Sequence, residues 1–176
     1  LNQIDNLLGT GHQSWLFGAG ISLKACVPLM WPLTERVREL LNGDASEELV
    51  NLLVADLPAN SHIEHVLSHI SDFQALTERT GKAVQIGGKD FTKDELEKAH
   101  TAIVNHIADT IRWGYKPDPK TIGKYDAPIV NVDDHRNFIR ASLGKAQAGL
   151  TDRRRPVRIF SLTYDTLIED ALALEC

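Results

Sequence analysis

A short apolar strand that ends in a glycine-rich turn constrains this chain more than any other feature. Trp15-Leu16-Phe17 is an apolar run typical of a buried parallel strand, and Gly18-Ala19-Gly20 follows it directly. Two glycines one residue apart let the backbone turn sharply and bring its N–H groups close to an anion. We therefore predict a phosphate-binding turn here, to which Ser22 adds a hydroxyl. Because Leu23 replaces the third glycine of G-x-G-x-x-G, a tight turn without a ligand remains the alternative.

A second apolar run, near the end of the chain, also ends in polar residues. Residues 157–162 are a predicted strand, Thr163-Tyr164-Asp165 follow it, and a helical pattern of apolar residues begins at Leu167. Polar groups at the C-terminal end of a parallel strand face the ligand crevice of an open α/β sheet. The sequence therefore predicts that residues 163–165 face such a crevice.

Together, these segments resemble the sirtuin family, and more closely its bacterial branch of sirtuin-like NAD hydrolases. Gly18-Ala19-Gly20-Ile21-Ser22 matches the GAGIS phosphate loop of that family, and Ala25-Cys26-Val27-Pro28 resembles the AGIP stretch that follows the loop. Ile63-Glu64-His65-Val66-Leu67 is similar to a helical stretch found later in the bacterial branch. Ser161-Leu162-Thr163-Tyr164-Asp165 stands where that branch has T-x-N-Y-D.

The resemblance implies a reaction and a set of site residues. The reaction is cleavage of the nicotinamide–ribose bond of NAD, with NAD as the substrate and no metal. Catalytic roles carry over to Thr163 and Asp165, and Asp165 is expected to contact the nicotinamide carboxamide. The residues implied to bind the cofactor are Gly18, Ala19, Gly20, Ile21, Ser22, Pro28 and Tyr164.

The chain departs from the family pattern at two catalytic positions. The catalytic Asn of the family falls on Thr163, so we expect this form to be slow or inactive, whether Thr163 is natural or engineered. The catalytic His of the family lies downstream of the N-Y-D motif, beyond Cys176. We therefore expect residues 1–176 to be the N-terminal part of a single sirtuin-like NAD-binding domain in a longer polypeptide.

Helical patterns fill most of the chain between the two predicted strands. We predict an α/β fold, a Rossmann-like parallel sheet with a large helical insertion at about 34–150, incomplete at the C-terminus. Within the insertion, Thr34 is predicted to cap a helix. The pairs Ser61 with Glu64 and Thr92 with Glu95 both have the spacing of a capping box.

Composition and charge narrow the class of protein. A net charge of −5 argues against a general nucleic-acid binder, and no apolar run approaches the roughly 20 residues that span a membrane. Two cysteines, Cys26 and Cys176, argue against a disulfide framework and fit a cytoplasmic location. The chain has no C-x-x-C pair, whereas protein-deacylating sirtuins usually carry a zinc module of two such pairs.

Three functions follow from these observations as hypotheses. The leading one is an NAD glycohydrolase that depletes NAD in bacterial anti-phage defence, as a homo-oligomer that works with an ATPase, a helicase or an Argonaute-like protein. The alternatives are a non-catalytic NAD or ADP-ribose binding domain and an NAD-dependent deacylase, which the missing zinc module disfavours. His62, His65 and His69 share one helical face at a metal-ligand spacing, but a solvated face is the favoured interpretation.

Overall fold

The computed structural model describes residues 13–147 and 157–175, which form a mixed α/β structure. In chain order, its elements are β1 (Gln13–Phe17), a 3₁₀ helix (Ala19–Ala25), α1 (Met30–Leu41), α2 (Glu47–Asp56), α3 (Ile63–Thr80), β2 (Val84–Ile86), β3 (Lys89–Phe91), α4 (Lys93–Trp113), β4 (Tyr115–Lys116), β5 (Thr121–Ile122), α5 (Asp133–Gln147), β6 (Val157–Ser161) and α6 (Leu167–Glu175).

The described residues pack as two units. One unit, here called the strand unit, contains the described residues up to Val27 and those from Ile129 onwards. The other, the helical unit, is Pro28–Pro128. The predicted insertion covered about 34–150, and helix α5, at the end of that range, packs in the strand unit.

Strands β1 and β6 pair in parallel, which confirms both predicted strands. Trp15 and Phe17 lie on one face of the pair, where the ring of Phe138 from α5 meets them edge-on at centroid distances of 5.1 and 5.0 Å. On the opposite face, the register partners Leu16 and Phe160 are 67% and 56% exposed. The described part of this sheet has two strands, so a wider Rossmann-like sheet stays a prediction.

Helix α5 packs against α6, and charged side chains join the two helices. Glu175 of α6 accepts hydrogen bonds from Arg140 Nε at 2.5 Å and from Arg136 Nε at 2.6 Å. These two bonds, that from Arg140 above all, hold the pKa of Glu175 below its usual value. Ile139 of α5 and Ala171 of α6 are fully buried. Apolar contacts and ion pairs therefore both connect α5 to α6.

The helical unit has a hydrophobic core of its own. Each of its four α-helices contributes fully buried apolar side chains to that core, among them Val37, Leu53, Ile70, Leu96 and Ile103. The hairpin β2–β3 adds Ile86 and Phe91, and its turn places Gly87 and Gly88 at φ +57° and +81°, as a tight hairpin turn requires. No helix in the described ranges is both long and apolar enough to cross a membrane.

Of the three capping predictions, one is confirmed and two are wrong. The box of Thr92 and Glu95 is confirmed, because Thr92 Oγ1 accepts the Glu95 N–H and Glu95 Oε2 accepts the Thr92 N–H. The box of Ser61 and Glu64 is wrong, because His62 is the N-cap residue and its N–H donates to His65 Nδ1 at 3.1 Å. The predicted cap at Thr34 is also wrong, since α1 begins one turn earlier, at Met30.

Thr34 instead joins two helices of the core. Its hydroxyl donates to the Met30 carbonyl at 2.8 Å and accepts the Ile63 N–H at 3.0 Å, at the start of α3. The backbone N–H groups of the first helical turn have no partner within their own helix. The Thr34 hydroxyl therefore satisfies a buried donor that α3 itself leaves unpaired.

Removal of this hydroxyl should destabilise the helical unit. Thr34→Val keeps the side-chain shape but leaves the Ile63 N–H buried without an acceptor, and we expect a loss of about 1–3 kcal/mol in the free energy of unfolding. Urea denaturation followed by circular dichroism measures that loss. Thr34→Ser, which keeps the hydroxyl, is the matched control and should lose clearly less. A Thr34→Val protein as stable as the parent would show that the bond contributes nothing.

Candidate functional site

The parallel register brings the two predicted ligand segments to one edge of the sheet. Phe17 and Ser161, the last residues of β1 and β6, pair with each other. One residue further on, the Leu162 N–H donates to the Phe17 carbonyl at 2.8 Å. The glycine-rich turn after β1 and residues 163–165 after β6 therefore both begin at the C-terminal ends of neighbouring strands, where ligands bind in open α/β sheets.

The glycine-rich turn continues directly into the 3₁₀ helix. The Ile21 N–H donates to the Gly18 carbonyl at 3.1 Å and closes the first turn of that helix. Cys26 ends the helix with a left-handed φ of +63°. Ile21 is half-buried, whereas residues 18–20 are exposed. The backbone of residues 18–20, which follows the C-terminal end of β1, is therefore accessible to a ligand.

Glycine at positions 18 and 20 is not required by the described protein itself. Neither residue has a left-handed φ, and a Cβ atom added to either would meet no described atom within 4 Å. From the sequence, a phosphate is predicted to lie close to the N–H groups of this turn, that of Gly20 among them. A phosphate at that N–H, rather than any described residue, would leave no room for a side chain at Gly20.

Ser22, predicted to offer its hydroxyl to a phosphate, faces inward. It is fully buried, and its Oγ lies 3.5 Å from Nε2 of His135, a buried residue in the first turn of α5. Sequence reasoning missed His135, although a signal was present. His135 precedes the inward-facing Phe138 and Ile139 by three and four residues, which places all three on one face of the helix.

Thr163 takes part in local hydrogen bonds at the end of β6. Its Oγ1 donates to the Asp165 carbonyl at 3.2 Å and lies 2.8 Å from Ser161 Oγ. Ser161 Oγ also accepts the Thr163 N–H at 3.3 Å. These bonds hold the turn between β6 and α6 and use the single hydrogen of the Thr163 hydroxyl.

Asp165 helps to begin helix α6. Its Oδ1 accepts the Leu167 N–H at 3.2 Å, and the neighbouring Thr166 hydroxyl donates to Asp170 at 3.0 Å. A carboxylate has two oxygens that accept hydrogen bonds, and this contact uses one of them. Tyr164, between the two predicted catalytic residues, is 61% exposed. The geometry thus assigns Asp165 a structural contact beside its predicted carboxamide contact.

The remaining predicted residues belong to the helical unit. Pro28 is buried and is the first residue of that unit. His69 Nε2 lies 2.7 Å from Asp56 Oδ2, and His62 and His65 bond to each other at the start of α3. Within residues 13–147 and 157–175, no group of three or more His, Cys, Asp or Glu residues is arranged to hold a metal ion.

No protein family, no curated protein and no solved structure matches this chain. Its class is therefore defined by its own fold and site. The chain is a mixed α/β protein in which a glycine-rich turn and a polar segment meet at one edge of a parallel strand pair.

The variant Gly20→Ala tests whether an anion approaches this turn. Since the added methyl group has space and a permitted φ, we expect unchanged stability but a more than tenfold weaker affinity for ADP-ribose, about 1.4 kcal/mol. Isothermal titration calorimetry measures the affinity and thermal unfolding the stability. Leu23→Ala, at an exposed position of the same 3₁₀ helix, is the control. Unchanged affinity in Gly20→Ala would reduce the turn to a structural feature.

Proposed function

We propose that this chain is the nucleotide-binding part of a sirtuin-like NAD glycohydrolase, which converts NAD and water into ADP-ribose and nicotinamide. One observation carries the proposal. The register of β1 with β6 brings the glycine-rich turn and residues 163–165 to the same edge of the sheet. The resemblance of the two segments to the GAGIS loop and the T-x-N-Y-D motif supplies the chemistry.

The proposed reaction depends on positioning more than on acid catalysis. The bond between C1′ of the ribose and the nicotinamide nitrogen breaks, and its electron pair neutralises the positively charged ring. Nicotinamide therefore leaves without being protonated. Water forms the new bond at C1′ and releases a proton. The protein has to hold the pyrophosphate, orient the nicotinamide and place the water.

The residues at the sheet edge fit different parts of this task. The exposed backbone of residues 18–20 is suited to the pyrophosphate, because backbone N–H groups bind anions. The Asp165 oxygen that does not cap α6 is suited to accept the N–H of the carboxamide. Tyr164 offers an exposed ring beside that carboxylate. Ser22, being buried, supports the turn from inside in this proposal.

The biological setting is proposed from the resemblance alone. An NAD glycohydrolase of this branch would deplete cytoplasmic NAD during phage infection. It would act as a homo-oligomer, together with an ATPase, a helicase or an Argonaute-like protein. The net charge of −5 disfavours direct binding of nucleic acid by this domain, so recognition of the phage would belong to a partner.

A non-catalytic NAD or ADP-ribose binding domain is the second candidate, and the bonds of Thr163 favour it. The Thr163 hydroxyl already donates its hydrogen to the Asp165 carbonyl. An Asn amide carries two N–H hydrogens and could keep such a bond while orienting a water molecule. Thr163 lacks that second hydrogen, so a domain with Thr163 can bind the nucleotide and still fail to hydrolyse it.

Incubation of the full-length protein with NAD separates these candidates. Free nicotinamide in the absence of any acyl acceptor, measured by liquid chromatography, indicates a glycohydrolase. Calorimetric binding of NAD or ADP-ribose without turnover indicates a binding domain. Turnover that needs an acyl-lysine peptide indicates a deacylase. A protein that neither binds nor cleaves NAD contradicts the proposal.

Thr163→Asn should increase NAD hydrolysis in the full-length protein. An amide in the place of the hydroxyl can orient the attacking water, and one such contact is commonly worth about 10²–10³ in rate. Release of nicotinamide over time measures the gain. Thr163→Val, which removes the hydroxyl without adding an amide, should show no gain. Vigorous hydrolysis by the parent protein, with no increase in Thr163→Asn, would show that another residue orients the water.

Asp165→Ala should reduce NAD turnover far more than ADP-ribose binding, because ADP-ribose has no carboxamide. Loss of the bond to the Leu167 N–H should also lower stability by about 1 kcal/mol. Thr166→Val is the matched control, since it removes a neighbouring hydrogen bond at the start of α6 without touching the carboxylate. Equal losses for both ligands in Asp165→Ala would assign Asp165 to the scaffold alone.

A further inference from the structure

We propose that His135 is a positioning residue for the glycine-rich turn, which it holds through a hydrogen bond from its Nε2–H to Ser22 Oγ. The bond links the first turn of α5 to the 3₁₀ helix that carries Ala19 and Gly20. Its effect on ligand affinity rests on the proposed function, whereas its effect on the turn does not.

Two contacts attach the 3₁₀ helix to α5 and to the residues just before it. One joins two buried side chains, and the other is a hydrogen bond between backbone groups. Ser22 and His135 are both almost completely buried, with Oγ and Nε2 3.5 Å apart. The Asn131 N–H, just before α5, donates to the Ala25 carbonyl at 3.2 Å. The 3₁₀ helix has seven residues, and because the hydrogen bonds of a 3₁₀ helix are poorer than those of an α-helix, contacts of this kind help to hold it in place.

Helix α5 is a firm support for that contact. Phe138 lies against the rings of Trp15 and Phe17, and Ile139 is fully buried. Further along α5, Arg140 is bonded to Glu175 of α6. These contacts hold α5 against the strands and against α6. The packing of α5 therefore determines the position of the His135 ring relative to Ser22.

The second ring nitrogen of His135 indicates where the proton is. His135 Nδ1 is buried and has no hydrogen-bond partner among the described residues. A neutral imidazole carries one N–H and one acceptor nitrogen, and a buried N–H without a partner is rarer than a buried acceptor without one. The proton therefore belongs on Nε2, where it can be donated to Ser22 Oγ. The reverse bond, from the Ser22 hydroxyl to Nε2, would leave an Nδ1–H that is fixed in the ring plane and buried without a partner, whereas the hydrogen of the Ser22 hydroxyl can rotate.

Substitutions at His135 test the bond through ligand affinity. His135→Leu removes the donor at a similar volume, and we expect ADP-ribose affinity to fall at least tenfold. His135→Gln can place an amide N–H near the position of Nε2 and should stay within about threefold of the parent. Ile103→Val, a core truncation in the helical unit, is the control for lost stability and should leave the affinity unchanged. Equal losses in His135→Leu and His135→Gln, or no loss in either, overturn the proposal.

Nuclear magnetic resonance provides a test that does not depend on any ligand. We expect the Nε2–H tautomer for His135 in the parent protein and a shifted Nε2 resonance in Ser22→Ala. The backbone amide resonances of Ala19 and Gly20 should move in Ser22→Ala and in His135→Leu, but much less in His135→Gln. An Nδ1–H tautomer, or amide resonances that do not respond, overturns the proposal even if His135→Leu fails to fold. If the parent binds no nucleotide but these shifts appear, the proposed function fails and the role of His135 in the turn stands.

Discussion

The parallel pairing of β1 with β6 is the constraint on which the candidate site depends. The Leu162 N–H bonds to the Phe17 carbonyl, so segments from opposite ends of the chain begin side by side. A register shift of one residue would turn Trp15 and Phe17 away from Phe138 and carry Thr163 along the strand direction. The aromatic contacts with α5 therefore favour the observed orientation of β1, and the register of β1 with β6 determines which residues can form a site. A parallel pair cannot be closed by a tight hairpin and needs a longer crossover, and in this chain that crossover contains the helical unit and α5.

The glycine-rich segment combines two physical roles that its sequence does not separate. Its outer part, residues 18–20, exposes backbone, and the described protein leaves space beside both glycines. Its inner part points Ser22 into the strand unit, where His135 is the polar group that faces it. A buried hydroxyl without a partner would cost free energy, so the contact with His135 is what makes an inward-facing serine tolerable at this position. Exposed backbone for a ligand and a buried hydroxyl for support are compatible because the 3₁₀ helix turns one side of the segment outward and the other inward.

In the segment after β6, local hydrogen bonds use the same atoms that the proposed catalytic role would need. Thr163 bonds to Ser161 and to the Asp165 carbonyl, and the Asp165 carboxylate bonds to the start of α6. Short polar side chains readily make such bonds to the backbone near them. A hydroxyl engaged in this way has no second hydrogen for a water molecule. Under the proposed function, the Thr163 side chain therefore decides between a hydrolase and a binding domain, and its hydroxyl hydrogen is already used in a local bond.

Local sequence determined the features that involve only near neighbours. The apolar runs specified both strands, and Thr92 with Glu95 specified the start of α4, because each of these features depends on residues within a few positions. Tertiary structure decided the features that need a distant partner. The Thr34 hydroxyl accepts a hydrogen bond from the Ile63 N–H, 29 residues away. The buried Ser22 hydroxyl contacts the ring of His135, which lies on another helix. A hydroxyl bonds to whichever unsatisfied buried group the packing brings within reach. The spacing of residues along the chain shows which groups lie within one helical turn of each other. Which distant group a side chain contacts depends on how the core packs.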